Sequence, residues 1–271
     1  MYSDIEQDIV HEHPCLNKAA AKWFGRIHLP VAPECNIRCR YCTRVYDCAN
    51  ENRPGVTSRI IGPGEALHLV TEAVERDPRL RVVGIAGPGD PLANPETFET
   101  LDLVHERFPH LIKCVSTNGL LLEECLPLLK AVGVKAVTVT VNAVNRTIAS
   151  FIYGDICYHG EIYRGGSGVD LFMEAQRAGI RMAVEVGMVV KINTVYIPGI
   201  NDYHLVEVAK SVKAAGAQIM NLMPLIPQGE FAGLPHPDRE QIRLTRRNLA
   251  RIIGQIDHCR QCRSDAVGML L

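Results

Sequence analysis

The stretch CNIRCRYC, Cys35 to Cys42, sets three thiols at the spacing C-x3-C-x2-C. It directly follows the first short apolar run, IHLPVA (27–32), whose composition favours a strand. Thiolates are soft ligands that suit zinc or iron–sulfur clusters. Structural zinc normally takes four closed ligands. Three thiolates in one tight segment fit a [4Fe–4S] cluster with one iron left open for a substrate or cofactor. A zinc site completed by His28 or Cys48 is the alternative.

Outward from this stretch, strand-like and helix-like segments alternate. Strands are expected at 27–32, 82–87, 112–117, 136–141, 184–192 and 219–225. Helices are expected at 63–76, 94–108, 121–133, 169–179 and 203–216, with apolar residues at three- and four-residue spacings. Such alternation predicts an α/β chain with a parallel sheet and crossover helices. Six units are too few for an eight-stranded barrel, so a partial (β/α)6 TIM-like barrel or an open doubly wound sheet is expected. Chemistry in either gathers where strands end. Glycine-rich or polar signals sit at those places: GIAGPGDPL (84–92), STNG (116–119), Asn142, VVKIN (189–193) and LMPL (222–225). The tail from about Pro235 reads as one charged helix (238–257) followed by HCRQCRSDAVGMLL, an appendage to the barrel. The expected organisation is an N-terminal extension (1–26), a core (27–234) and a Cys-rich C-terminal tail (235–271).

The chain has 271 residues, 47% of them hydrophobic, and a formal charge of −1. It can bury a sizeable core, and nothing in its charge favours nucleic acid or an anionic membrane. No apolar run approaches the roughly 20 residues of a membrane span. The N-terminus, MYSDIEQDIVHEHPC, is acidic and polar, unlike a signal peptide, so a cytoplasmic location is expected. Without export, ten cysteines point to metal ligation or catalysis rather than disulfides. Beyond the first three, Cys259 and Cys262 form a C-x2-C pair, a common metal-ligand spacing. Cys15 lies beside His11 and His13, Cys48 lies six residues past Cys42, and Cys114 lies on the third strand. Strand alternation puts Cys114 on the same face as Ser116. Five thiols with nearby His11, His13 and Glu51 suffice to ligate two further clusters incompletely. Incomplete ligation suits clusters that must later leave. A local zinc site at HCRQC, solvated histidines and a surface carboxylate at Glu51 are the plainer readings.

The thiol motif after the first of six strands resembles the radical S-adenosylmethionine (SAM) superfamily. That resemblance implies a [4Fe–4S] cluster on Cys35, Cys39 and Cys42 whose open iron chelates SAM and whose electron cleaves it to a 5′-deoxyadenosyl radical. Tyr41 matches the usual aromatic of the motif, with packing as its simpler role. Gly87 and Asp90 match the segment that binds the methionyl amine, although a tight Gly-Pro turn also accounts for it. Ser116, Asn118, Asn142 and Met223 stand where that family contacts SAM.

More narrowly, HPC, VAPECNIRCRYCTRVYDCANENRPGV, AGPGDPL, STNGL and HCRQCRSDAVG together resemble the NifB family of nitrogenase cofactor maturases. The resemblance runs from His13 to Gly268. It implies fusion of two [4Fe–4S] substrates into an 8Fe–9S cluster with a central carbide. One SAM would donate a methyl and a second would yield the radical that abstracts hydrogen from it. Cys15, Cys48, Cys114, Cys259 and Cys262 would hold the substrate pair, helped by a histidine and by Glu51. Implied partners are cluster donors, a reductant such as ferredoxin, and scaffold or carrier proteins. The chain ends before the NifX-like domain of some relatives, so handover to a separate carrier is expected. Open iron sites imply an anaerobic or oxygen-protected setting. The competing expectation is another radical SAM enzyme with auxiliary clusters, acting on an organic or peptide substrate.

Overall fold

The computed structural model describes residues 4–50 and 56–270. In chain order the elements begin with α1 (Asp4–Glu12), β1 (Gly25–His28), β2 (Ile37–Cys39), α2 (Pro63–Arg76), β3 (Leu80–Ile85) and α3 (Pro95–Arg107). There follow β4 (Ile112–Thr117), α4 (Leu122–Ala131), β5 (Val134–Thr140), α5 (Arg146–Ile152), β6 (Tyr153–Tyr158), β7 (Glu161–Tyr163) and α6 (Gly165–Glu185). The chain closes with β8 (Val189–Tyr196), α7 (Leu205–Ala214), β9 (Ile219–Pro224), α8 (Arg239–Leu249), β10 (Gly254–Gln255) and β11 (Val267–Met269). No helix among the described residues is long and apolar enough to cross a membrane.

The main sheet has the order β10-β9-β8-β5-β4-β3-β1-β11. Its six inner strands are parallel and follow sequence order, as crossover helices require. This is the α/β partial-barrel arrangement expected from six strand–helix units. Alternation divides each strand between two environments. Outward residues such as Val83, Ile85, Val115, Val137, Val139 and Ile192 are buried in the apolar core beneath the helices. Inward residues are small or polar: Gly84, Cys114, Ser116, Thr138, Lys191 and Asn193 face a cavity. The parallel register sets them in rows, His28 beside Gly84 beside Cys114, then Ser116 beside Thr138 beside Lys191. Bulky residues normally fill the interior of a small barrel. Here the inward set leaves it hollow.

Two segments depart from the expected elements. The strand expected at 184–192 begins at Val189, because α6 runs on to Glu185 with Ile180 and Ala183 against the core. The tail helix expected at 238–257 stops at Leu249. Beyond it Ile253 and Ile256 are buried, and β10 extends the sheet alongside β9. At the opposite edge β11 pairs antiparallel with β1. Residues 256–266 therefore pass from one edge of the sheet to the other. The segment YGDICYHGEIY forms the β6–β7 hairpin, and β6 pairs antiparallel with β2, which carries Cys39.

Close backbone packing fixes the loop before Cys35. The Gly89 amide donates to Ala32 O at 2.6 Å, and the Asp90 amide to Glu34 O at 2.8 Å. A Cβ on Gly89 would overlap the Glu34 carbonyl and lie 2.7 Å from Pro33 O. Backbone cannot yield there as a flexible side chain would. Gly89→Ala is expected to destabilise the protein by about 2–4 kcal/mol in urea unfolding. A loss under about 1 kcal/mol would show that the two loops part easily.

Candidate active site

Two cavities lie along the barrel interior. The first, about 630 Å³, is lined by Cys35, Cys39, Cys42 and Cys48, by Tyr41 and Arg44, and by Pro88–Asp90 and Ser116–Asn118. The second, about 650 Å³, is lined by Cys15, Cys114, Cys259 and Cys262, by His13, His28 and His258, and by Lys191, Asn193 and Arg260. Ser116 lines both, so the chambers abut at its side chain.

Around the first cavity, β2 holds Ile37 and Cys39 inward and Arg38 outward. Burial pushes the Cys35 thiol up to about 11, with nearby Asp90 adding to the rise and Arg44 opposing it. Burial raises Cys39 further, helped by its two neighbouring thiols. Buried thiols held neutral in this way become good ligands once a metal ion displaces their protons. Tyr41 is almost wholly buried, and its hydroxyl donates to Asn50 Oδ1 and accepts from Asn142 Nδ2 at 2.7 Å. The three clustered thiols and the glycine-cleared backbone at Gly89 suit a [4Fe–4S] cluster with a small cosubstrate beside it.

Asp90 lines this cavity, yet its carboxylate is already engaged. Oδ1 accepts from the Leu92 amide at 2.9 Å, Oδ2 from the Asn118 amide at 2.6 Å, and Thr117 Oγ1 stands 3.0 Å from each oxygen. It clasps the loop after β3 to the end of β4. Asn118 lines the cavity while its side chain donates to Asn36 Oδ1 and accepts from the Leu120 amide. Asn142 lines neither cavity: its side chain is spent on Tyr41 and on the Val195 amide. A ribose contact through that amide would require these bonds to break. Met223 and Gly87 also line neither cavity; Gly87 precedes a cis bond to Pro88.

In the second cavity Cys114 faces inward with Ser116, as strand alternation predicts. Cys15, Cys259 and Cys262 reach it from the two chain extensions. Cys48, expected with that group, lines the first cavity instead. Of the two expected histidines, His13 is buried in the second cavity, while His11 is exposed in an open cleft beside His105. Glu51 lies outside the described residues. Cys125 packs against the core and Cys157 is exposed.

Sequence reasoning gave His28 only a zinc-site alternative and missed Lys191, Arg26 and Arg260. Burial, helped by nearby Lys191 and by His28, lowers His13 to about 3; burial, helped by Arg26, lowers His28 to about 4. Both imidazoles are therefore neutral at physiological pH. Their tautomers differ by hydrogen bonding. His13 Nδ1 accepts from the Cys15 amide at 3.2 Å, which leaves the proton on Nε2. His28 Nδ1 lies 3.2 Å from Arg263 O and must donate, which leaves the Nε2 lone pair free. A Cβ on Gly84 would meet Cys114 Sγ and His28 Cδ2, each at 3.1 Å, so that glycine lets thiol and imidazole share one spot. His28 thus has an unprotonated ring nitrogen in the cavity that Cys114 also lines. The signal in sequence was its place at the end of the first strand, next to the thiol motif.

Among the described residues, the second cavity's lining holds no carboxylate. Lys191 and Arg260 line it, and buried Arg26 donates to Cys262 Sγ at 3.0 Å. Burial pushes Cys15 up to about 11 against the pull of Lys191 and Arg26. Among the described residues no three Cys, His, Asp or Glu side chains converge on a single-ion site. Thiolates on the corners of a cubane stand further apart than ligands of one tetrahedral zinc.

Comparison with known proteins follows this geometry. The family model of the radical SAM superfamily matches residues 29–212. The FeMo cofactor biosynthesis protein NifB of Chlorobaculum tepidum is 43% identical over 264 residues, covering 96% of this chain and 62% of that protein. The protein of the same name from Methanocaldococcus infernus is 44% identical over 264 residues, covering 97% of this chain and 87% of its own length. Among solved structures, Streptococcus suis SuiB bound to S-adenosylmethionine matches with a TM-score of 0.60 at 13% identity, over 94% of this chain and 56% of that one, a likeness of fold. The chain spans less than two thirds of the Chlorobaculum relative.

The buried Asp90 carboxyl offers a test of this clasp in metal-free protein. Burial raises it to about 6 against the pull of its hydrogen bonds. A raised native value means that its contribution to stability is full below about pH 4 and is lost as pH rises through about 6. The stability difference between wild type and Asp90→Asn is expected to shrink across that window in urea unfolding. A difference that grows with pH would show that the carboxylate's donors outweigh its burial.

Proposed function

Since the chain belongs to the radical SAM superfamily and, within it, to the NifB family, we propose that it fuses two [4Fe–4S] substrate clusters into the carbide-centred 8Fe–9S precursor of the nitrogenase cofactor, using SAM-derived carbon and a ninth sulfur from a separate source. Cys35, Cys39 and Cys42 hold the resident cluster in the first cavity. Cluster and SAM, when bound there, supply methyl transfer and one-electron hydrogen abstraction. Cys15, Cys114, Cys259 and Cys262, with His28, receive substrate iron in the second cavity, while Cys48 lines the first.

The observation that carries this reading is the cationic lining of the second chamber, which holds no carboxylate among the described residues. Thiolate-ligated iron–sulfur clusters are anions, and burying one uncompensated would be costly. Lys191 and Arg260, which line the chamber, and buried Arg26 beside Cys262 offset that charge. A neutral organic or peptide substrate would gain little from three cations facing four thiols. A neutral imidazole such as His28 is also a ligand that can let go as a cluster is rebuilt. Ser116, a small residue, lines both cavities. The chain thus contributes placement, desolvation and charge balance, while the cofactors contribute the reactive chemistry.

Anaerobically reconstituted protein should hold about three [4Fe–4S] equivalents, by ligand counting. Incubation with SAM labelled in the methyl carbon is expected to place label in a cluster-bound species. Cys35→Ala should abolish SAM cleavage and leave the substrate-cluster signals visible. One cluster per chain, or label found solely in small organic products, would sink the reading.

A further inference from the structure

The loop carrying Cys48 and the tail carrying Cys259 and Cys262 come from distant parts of the chain, and one carboxylate joins them. Asp47 is fully buried. Its Oδ1 accepts from the Ser58 amide at 2.9 Å. Its Oδ2 accepts from the Ser58 hydroxyl at 2.8 Å and from the Ser264 amide at 3.1 Å. Ser264 Oγ stands 2.9 Å from that same oxygen and 2.8 Å from Ser58 Oγ, so its single proton serves one or the other. The Asp47 amide donates to Val56 O at 2.9 Å. A desolvated carboxylate is costly unless donors surround it. These donors come from both segments, and Ser264 is 217 residues from Asp47 in sequence. Withdrawing either segment would leave a buried carboxyl group short of its hydrogen-bond partners, so the two are energetically tied.

Position gives this tie a use. Asp47 immediately precedes Cys48, which lines the first cavity, and Ser264 lies two residues past Cys262, which lines the second. The tail is gripped at three successive residues. Arg26 reaches Cys262 Sγ, His28 reaches Arg263 O, and Asp47 holds Ser264.

We propose that Asp47 is a positioning residue: through Ser58 and Ser264 it fixes the Cys48 loop against the Cys259–Cys262 tail, so that groups held in the two cavities keep one separation. The identity of those groups rests on the cluster-fusing reading above; the latch itself belongs to the metal-free chain. Joining two bound clusters is a reaction between tethered partners, and its rate falls steeply when their placement loosens. Asp47 lines neither cavity.

Asp47→Asn and Ser264→Ala in the full chain test this. In metal-free protein, amide hydrogen exchange across 56–58 and 262–266 is expected to rise together by about tenfold or more, with β5 unchanged. After anaerobic reconstitution both variants should keep reductive SAM cleavage within about twofold, while transfer of labelled methyl carbon into a cluster-bound species falls by about tenfold or more. Ser264→Thr, which keeps the hydroxyl, should restore transfer. If Asp47→Asn does not fold, Ser264→Ala decides the matter, since it loses only one side-chain donor. Exchange that rises in one segment alone, or wild-type carbon transfer in both variants, overturns the proposal. Should wild type transfer no carbon while both segments loosen together, the cluster-fusing reading fails and the latch stands.

Discussion

The parallel register of the inner strands is the constraint on which everything else rests. It places His28, Gly84 and Cys114 in one row and Ser116, Thr138 and Lys191 in the next. A slip of one residue would turn each of these side chains into the apolar layer beneath the helices and turn valines and isoleucines inward. The penalty for exposing that layer locks the register, and the register builds the chamber. Hydrophobic burial on one face of the sheet thereby holds open a polar hollow on the other.

Closure of that hollow is the work of the two chain ends. Residues 256–266 cross between opposite sheet edges, bringing Cys259 and Cys262 over the interior. The N-terminal extension meets them: His258 Nε2 lies 2.9 Å from Pro14 O, one residue before Cys15. Covering the chamber with backbone that also carries thiols excludes water and supplies ligands by the same act. Low dielectric strengthens the interactions of buried charges, so Lys191 and Arg26 count for more there than the surface ion pair of Lys18 with Asp257.

The same burial explains the state of the donors. Cys15 and Cys35 are held neutral by desolvation, and His13 and His28 are held neutral by desolvation and nearby cations. Ligation by these thiols requires that they give up their protons. Metal binding, proton release and the ordering of the extensions are therefore linked.

Local sequence determined much of this protein. The spacing of Cys35, Cys39 and Cys42 is a property of neighbours in the chain, and their gathering in one cavity needed only a short strand and a turn. β4 and α2 coincide with their expected spans because β-branched alternation and a proline-led amphipathic run are local signals. Tertiary structure decided which distant groups meet. It put His13 rather than His11 in the second cavity, paired His28 Nδ1 with Arg263 O, set Cys48 in the cavity of the first three thiols, and spent the Asn142 amide on Tyr41. It also turned the end of an expected tail helix into β10, because Ile253 and Ile256 gain more from burial against the sheet than from another helical turn. Pattern fixes which face of an element is apolar; which partner that face finds, and which polar atoms are thereby engaged, depends on contacts between residues hundreds of positions apart.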